Sequence, residues 1–263
     1  MKINEYYRDT AHLNLNGSIA SLLPVIIIIA GNLSIFKTKE IMLLTIPFLI
    51  YSLVSFQFYL FRRRQSISID RQMRKSKVGR MSLFESRHLL VLFLNTKSSR
   101  LLFYFPNGHL AGMIKRYRGK GTKKLPFSKI YALYSMENQN QAIGYYKING
   151  GKTIKIEVFN HRRQYLGSFE RRKKDWRTSK KELLDSKGRF IGAVEGAVAF
   201  MDEQFINHDH FQEARLRRGW MPLEWSPLFP EPNTPVLSMR ENLSEQDKLL
   251  RMSFLINEYF IER

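Results

Sequence analysis

The segment Asn207-His208-Asp209-His210 contains the only clustered histidines in the sequence. Imidazole and carboxylate groups bind zinc, but a protein zinc site normally has three or four ligands at recognisable spacings. No third ligand stands at such a spacing from these two histidines. We therefore expect this segment to form a polar loop, and we expect neither a metal site nor another cofactor.

Catalytic motifs are also missing from the sequence. It contains no Gly-x-Ser-x-Gly elbow, no His-Glu-x-x-His pair and no glycine-rich loop that could hold a phosphate. Cysteine is absent, which excludes a thiol nucleophile, a thiolate metal site and a disulfide framework. The acidic residues Glu195, Asp202 and Glu203 are spaced as on an ordinary protein surface. The sequence therefore predicts a protein that is not an enzyme.

Basic charge is the strongest chemical feature of the chain. Residues 62–189 carry 32 basic and 8 acidic side chains, whereas residues 190–263 carry 7 basic and 12 acidic ones. Such a basic block attracts a polyanion, which is either an anionic lipid surface or a nucleic acid. Charge alone does not separate the two, but a membrane anchor on the same chain favours anionic lipid.

We expect the lipid-binding residues to lie beside the membrane anchor and in two basic loops of the following domain. The loops are 115–124 and 171–181, in which Tyr117 and Trp176 are interleaved with lysine and arginine. Aromatic rings with a polar atom favour the membrane interface. The predicted lipid-binding residues are Arg62, Arg63, Arg64, Arg74, Lys75, Lys115, Arg116, Arg118, Arg171, Arg172, Lys173, Lys174 and Trp176.

The anchor consists of two apolar segments, 19–36 and 41–61, and neither contains a charged residue. A helix needs about 20 apolar residues to cross a bilayer, with about 17 as the lower limit. The short segment 37–40 joins them, so we predict a transmembrane hairpin that could also pair copies of the chain. A cleaved signal peptide is a weaker alternative, because about eighteen mixed polar residues precede the first segment and a second apolar segment follows it directly. Two buried core helices are also a weaker alternative, because uninterrupted apolar faces of this length are unusual in soluble domains.

Lysine and arginine counts predict the orientation of the hairpin. Basic residues are dense after Phe61, whereas the turn has only Lys37 and Lys39. Since the basic side stays in the cytoplasm, we expect both termini to be cytoplasmic at the plasma membrane. Residues 1–18 are then a cytoplasmic lead-in, and residues 62–80 are a basic linker that follows the lipid headgroups.

Residues 81–263 are predicted to form one cytoplasmic domain. Its first segment, 81–94, is ambiguous between helix and strand, and Ser82 with Glu85 at the spacing of a capping box favours helix. From residue 100 the pattern changes to strands and turns. Short strands are expected at 130–134 and 142–148.

Three strand–turn–strand repeats follow one another in this domain. They are centred on Pro106-Asn107-Gly108, on 160–164 and on Asp185-Ser186-Lys187-Gly188. Aligned with one another, they place a glycine at positions 112, 167 and 192, two residues after a large side chain. Repeated hairpins of this kind predict an antiparallel sheet or barrel.

A hydrophobic helix is expected near the end of the chain, at about 244–261. Ser244 is a favourable N-cap, and Glu245 and Asp247 suit the positive end of the helix dipole. Apolar residues cover most of the circumference of this helix, so we expect it to be buried. The proline-rich segment 219–237 before it is expected to be irregular and to pack across the sheet.

Three hairpin repeats, an Asn-Thr-Pro-Val-Leu segment at 233–237 and a terminal hydrophobic helix resemble the Tubby C-terminal-like superfamily, which includes phospholipid scramblases and LURP-one-related proteins. The resemblance covers about 101–263. It implies a closed antiparallel barrel threaded by a helix, with basic residues on the barrel that bind phosphoinositide headgroups. The calcium-binding segment and cysteine-rich stretch of scramblases have no counterpart in this chain.

The predicted fold class is therefore α+β: an N-terminal transmembrane hairpin followed by a tubby-like β domain with a buried C-terminal helix. We interpret the protein as a membrane-anchored binding protein with anionic lipid as its main partner. A protein partner at the barrel surface is the second expectation, while nucleic acid is the less favoured polyanion. A scramblase-like lipid handler and a structural scaffold with incidental lipid affinity remain alternatives.

Overall fold

The computed structural model describes residues 2–74, 81–95, 98–117, 129–136, 141–151, 153–173, 179–197, 202–219 and 221–262. These residues form two compact units, Met1–Lys77 and Val78–Arg263. The first is helical, and the second is built mainly from strands.

The first unit contains two long helices joined by a short connection. Helix α1 spans Ile3–Gly31 and continues as a π-helical turn, Asn32–Phe36. A short helix α2, Lys39–Leu43, leads into α3, Ile46–Met73. Both long helices are long and apolar enough to cross a membrane.

Helix α1 begins before the first apolar segment, and α3 continues past the end of the second. The expected lead-in 1–18 belongs to α1, and the first part of the expected linker, up to Met73, belongs to α3. Residues 62–73 contain neither glycine nor proline, so nothing in the sequence interrupts the helix after the apolar segment. The rest of the predicted linker, 75–80, lies outside the described residues.

Polar contacts join α1 to α3 along their length. The hydroxyl oxygens of Ser18 and Ser52 are 3.0 Å apart and both side chains are buried. Ser66 donates a hydrogen bond to the Asn4 carbonyl at 2.8 Å, and the Asn4 amide donates to Asp70 at 2.8 Å. Small hydroxyl side chains allow close approach of two helices in an apolar environment.

The second unit is a closed barrel of twelve antiparallel strands within the described residues. Each strand pairs with its neighbours in the sequence, and β1 closes the barrel by pairing with β12. The α+β fold class is therefore confirmed. The strands are β1 His88–Leu94, β2 Arg100–Tyr104, β3 Leu110–Arg116, β4 Lys129–Ser135, β5 Ala142–Asn149, β6 Thr153–Asn160, β7 Tyr165–Lys173, β8 Ser179–Asp185, β9 Phe190–Ala197, β10 Asp202–Asn207, β11 Gln212–Arg217 and β12 Val236–Met239.

The helix interpretation of residues 81–94 is wrong. Ser82 and Glu85 do form the predicted contact, since the Ser82 amide donates to the Glu85 carboxylate at 2.9 Å, but they close a turn. The apolar run that follows is strand β1, in which both alternating faces are buried, as at Leu89 and Leu90. A strand that is buried on both faces has a continuous apolar sequence. Such a sequence lacks the alternation of apolar and polar residues by which a strand is normally recognised.

The three predicted hairpins are present as β2–β3, β6–β7 and β8–β9, and a fourth, β10–β11, has the same turn. In each turn one residue has a positive φ: Gly108 at 81°, Arg163 at 61°, Gly188 at 77° and His210 at 62°. In three of them one side-chain oxygen, on Asn160, Asp185 or Asn207, accepts two backbone N–H groups of the turn. This side-chain acceptor explains why asparagine or aspartate begins these turns.

The C-terminal helix runs inside the barrel and is divided in two. Helix α4 spans Glu245–Arg251 and α5 spans Ser253–Phe260. Ser244 caps α4 as predicted, because its hydroxyl accepts the Asp247 amide at 3.1 Å. The helices share one hydrophobic core with inward-facing residues of the strands, so apolar side chains fill the barrel.

Close contacts with the strands hold α4 in place. The Tyr146 hydroxyl of β5 donates to the Leu249 carbonyl at 3.1 Å. A Cβ atom at Gly144 would lie 2.5 Å from Leu249, and one at Gly167 would lie 3.1 Å from Leu250. Glycine at these points lets the helix approach the barrel wall closely.

Candidate lipid-binding surfaces and the charged barrel interior

Arg62, Arg63 and Arg64 follow the second apolar segment directly, inside α3. The Arg62 guanidinium lies 5.5 Å from the Tyr7 ring centroid, and Arg63 donates to the Tyr59 hydroxyl at 3.0 Å. Arg64 is exposed. Tyrosine and arginine at the end of an apolar helix suit the headgroup region of a bilayer. The structure therefore places Arg62 and Arg63 beside tyrosine side chains, and lipid contact by the three arginines stays a prediction.

Arg74, near the end of the same helix, pairs with Asp70 at 2.9 Å. Its side chain is 80% exposed, and an exposed ion pair of this kind contributes little free energy. Arg74 can therefore exchange this partner for a phosphate group at small cost. The neighbouring Lys75 lies outside the described residues.

The barrel has two chemically different ends. We call the end that holds the four similar turns (105–109, 161–164, 186–189 and 208–211) the turn end, and the opposite end the loop end. Because β3 and β7 both run toward the loop end, the predicted basic residues of both strands lie there. Three strands, β4, β5 and β6, lie between β3 and β7 in the barrel order, so the basic residues form two patches rather than one.

Only part of each loop-end patch is described. Lys115 places its ammonium 4.3 Å from the Tyr134 ring centroid, and Arg116 is exposed. Arg118, Lys174 and Trp176 lie outside the described residues, as does the side chain of Lys173. Lipid contact by these patches stays a prediction.

Arg171 and Arg172 point to opposite sides of β7. Arg171 is 14% exposed, pairs with Glu262 at 2.6 Å and donates to Asn257 at 3.2 Å. Arg172 is 60% exposed and pairs with Glu170 at 2.9 Å. Arg171 therefore attaches the C-terminal helix to the barrel wall, and Arg172 is the member of this pair that a lipid headgroup can reach.

A partly buried charge network, which the sequence analysis did not identify, surrounds the end of α5. The Lys181 ammonium of β8 lies 2.6 Å from Glu203, 2.8 Å from Glu258 and 3.6 Å from Glu262. Burial alone would lower the pKa of Lys181, but the neighbouring carboxylates of Glu203 and Glu258 outweigh it and raise the pKa. Burial, with a hydrogen bond to Glu258, raises the pKa of Glu262.

The alternation of strand residues could have revealed part of this network. Arg171, Lys181 and Glu203 each stand two positions from a fully buried residue, namely Phe169, Leu183 and Phe205. Residues two apart on a strand share a face, so the three charges point inward. Their pairing with α5 required the position of the helix, which no local pattern supplies.

A second interior ion pair holds α4. Arg251 donates to Glu213 of β11 through Nε at 2.6 Å and also to the Asp247 carbonyl at 3.0 Å. The Asn207 amide donates to the other Glu213 oxygen at 3.1 Å. The last residue of α4 and the end of α5 are therefore fixed to the barrel wall by ion pairs with defined partners.

Apolar and charged side chains fill the barrel from α4 to the end of α5. The segment 207–210, considered above as a loop, forms the β10–β11 turn, where His208 and Asp209 are both exposed. Among the described residues, no group of three or more histidine and carboxylate side chains could hold a metal ion.

Comparisons with protein-family models, with curated proteins and with solved structures found no match for this chain.

Proposed function

We propose that this protein is a membrane-anchored, non-enzymatic binding protein whose barrel contacts anionic phospholipid headgroups at the inner face of the plasma membrane. The observation that carries the proposal is the position of Arg62, Arg63 and Arg64, of which Arg63 and Arg64 are exposed, directly after an apolar stretch of a helix long enough to cross a bilayer. The basic side chains at the loop end supply a second set of contacts. Each basic residue close to an anionic membrane contributes about 1 kcal/mol.

Because side chains fill the barrel, we favour binding of a lipid headgroup at the outer surface over binding of a lipid inside the barrel. Leu249, Leu250 and Phe254 are buried in the same core as the strands, so the internal volume is already occupied by the protein itself. A protein that carries a whole lipid molecule would need an internal cavity or a polar path across the bilayer. Binding of a headgroup at an exposed basic surface needs neither.

The architecture also supports membership of the tubby-like superfamily as a proposal. A closed twelve-stranded antiparallel barrel with a buried C-terminal helix is compatible with that fold. On this proposal both termini are cytoplasmic and the connection around Thr38 faces the outside. The orientation rests on the basic residues that follow the second apolar segment.

Reconstitution of the full chain tests the proposal. Because the chain has no cysteine, a single Gly151→Cys change at the loop end can carry an environment-sensitive fluorophore. In nanodiscs we expect its emission to shift to the blue as phosphatidylserine replaces phosphatidylcholine, and the shift to shrink at high salt. Emission that is independent of lipid charge would contradict lipid contact by this end of the barrel.

A further inference from the structure

The turn end of the barrel has a cavity of about 260 Å³ that the lipid proposal does not use. It lies between the segment 82–84, the β6–β7 turn and the start of α4. Pockets for drug-sized ligands are about 300–1,000 Å³, so this one suits a single large side chain better than a whole ligand. Its lining includes apolar Phe84, Ile143 and Leu249, and polar Ser82, His161 and Glu245.

An exposed surface with aromatic and basic side chains continues from this cavity. We define the turn-end surface as residues 161–164, 186–190, 208–211 and 240, all of which are exposed. Phe190 is 48% and Phe211 is 58% exposed. Large exposed aromatic residues that stand beside arginine are typical of protein interfaces.

The charges of the turn-end surface favour an acidic partner. Within the described part of the chain, no ion pair is formed by Arg162, Arg163, Lys187 or Arg240. Arg189 is paired with Asp185 at 2.7 Å, and Asp209 is the one acidic residue among the positions of the turn-end surface, while the exposed Glu241 follows Arg240 and the exposed Glu245 lines the cavity. The four remaining cations therefore present positive charge without a described carboxylate partner.

The backbone that carries these cations is fixed. The Asn160 oxygen accepts the Arg162 and Gln164 amides, both at 2.9 Å. The Arg163 guanidinium lies 5.8 Å from the Tyr145 ring centroid, and that of Arg240 lies 5.8 Å from the Phe211 ring centroid. A preorganised surface loses less conformational entropy when a partner binds.

The geometry points to a docking site for an acidic protein segment that places one aromatic side chain, with a hydrogen-bond donor at its tip, in the cavity beside Arg162 and Arg163. The ring contacts Phe84 and Leu249, and its donor faces the Glu245 carboxylate. Carboxylates on either side of the ring face the cations of the β6–β7 and β8–β9 turns. A bilayer surface offers no side chain for the cavity, so a polypeptide is the partner that uses both features. The inference goes beyond lipid binding, which is assigned to the other end of the barrel.

The test uses the full chain in phosphatidylcholine nanodiscs and a fluorescein-labelled peptide of eight aspartate and glutamate residues around one central tyrosine. We expect saturable binding whose Kd rises about tenfold in the variant Arg162→Gln/Arg163→Gln. Ser82→Phe, which fills the cavity from its half-exposed edge, should raise the Kd by a similar factor. The variant Arg100→Gln/Lys129→Gln removes the same charge from exposed loop-end positions and should leave the Kd unchanged.

Several results would overturn the docking site. They are absence of saturable binding, equal affinity for a peptide with alanine in place of tyrosine, and equal losses in the turn-end and loop-end variants. A fluorophore at Phe211→Cys that becomes shielded only in anionic nanodiscs would assign this surface to the membrane instead. Shielding that increases with protein concentration would assign it to a second copy of the chain.

Discussion

Arg251 of α4 and Glu213 of β11 form an ion pair inside the barrel, with Nε and Oε2 2.6 Å apart. Their side chains are 7% and 10% exposed, so neither charge has water to replace a lost partner. The pair joins the internal helix to the strand that carries the fourth turn.

Breaking this pair should destabilise the barrel strongly. Glu213→Gln leaves a buried guanidinium charge without its main partner, so we expect the free energy of unfolding to fall by about 3–5 kcal/mol. Denaturant titration of the full chain, followed by tryptophan fluorescence, measures the change. The double variant Glu213→Leu/Arg251→Met should recover most of the loss, whereas Glu195→Gln on the exposed face of β9 should have little effect. A small loss for Glu213→Gln alone would contradict the buried pair.

Asp202 should make stability depend on pH in the acid range. A hydrogen bond from Arg215 holds the pKa of Asp202 below its ordinary value of 3.8. The folded state therefore binds fewer protons than the unfolded state, so this contribution is present above pH 3.8 and is lost as the pH falls through the lowered pKa. Asp202→Asn should flatten the acid limb of the curve of melting temperature against pH. An unchanged acid limb would show that the carboxylate is not paired in solution.

Two glycines with positive φ should differ in their tolerance of a side chain. At Gly167 an added Cβ would lie 2.2 Å from the Leu184 carbonyl oxygen, whereas at Gly188 no atom lies within 4 Å. We expect Gly188→Ala to cost about 1–2 kcal/mol from its backbone conformation alone. Gly167→Ala should cost clearly more, because the strand must also shift. Thermal melting of both variants tests the difference, and equal losses would contradict the close approach of β7 to β8.

The orientation of the hairpin can be measured with single cysteines. We expect Thr38→Cys to react with a membrane-impermeant maleimide on intact cells, and Gly151→Cys to react only after the membrane is opened. Neutralising Arg62, Arg63 and Arg64 together should produce a mixed orientation, because these residues dominate the basic side. Labelling of Gly151→Cys on intact cells would contradict a cytoplasmic barrel.

The elements that depend on local pattern were predictable from the sequence. Apolar length predicted both long helices, the spacing of turn residues predicted three of the four similar hairpins, and Ser244 marked the start of α4. The fourth hairpin was missed because His210 stands where two of the other three copies have glycine, and Ala214 stands where all three have it. Arg163 shows that this position does not require glycine, since it adopts the same positive φ.

Features that depend on tertiary contacts were not predictable in this way. Arg171 and Arg172 are adjacent and chemically alike, so the basic charge of the segment predicted lipid contact for both residues. The structure shows that Arg171 pairs with Glu262 instead. The division of the C-terminal helix at Met252 also has no clear local signal. The first strand was misassigned because its two faces are both buried.

Binding of the barrel to anionic liposomes tests the central claim most directly. The barrel unit, Val78–Arg263, closes on itself around its own core, so it can be expressed without the hairpin. We expect the fraction that sediments with liposomes to rise with phosphatidylserine content. The sedimenting fraction should fall in a loop-end variant with glutamine at Lys115, Arg116, Arg172, Lys173 and Lys174. It should be unchanged in a matched turn-end variant with glutamine at Arg162, Arg163, Lys187, Arg189 and Arg240. No sedimentation at any lipid composition, or the same loss in both variants, would contradict lipid binding by the loop end.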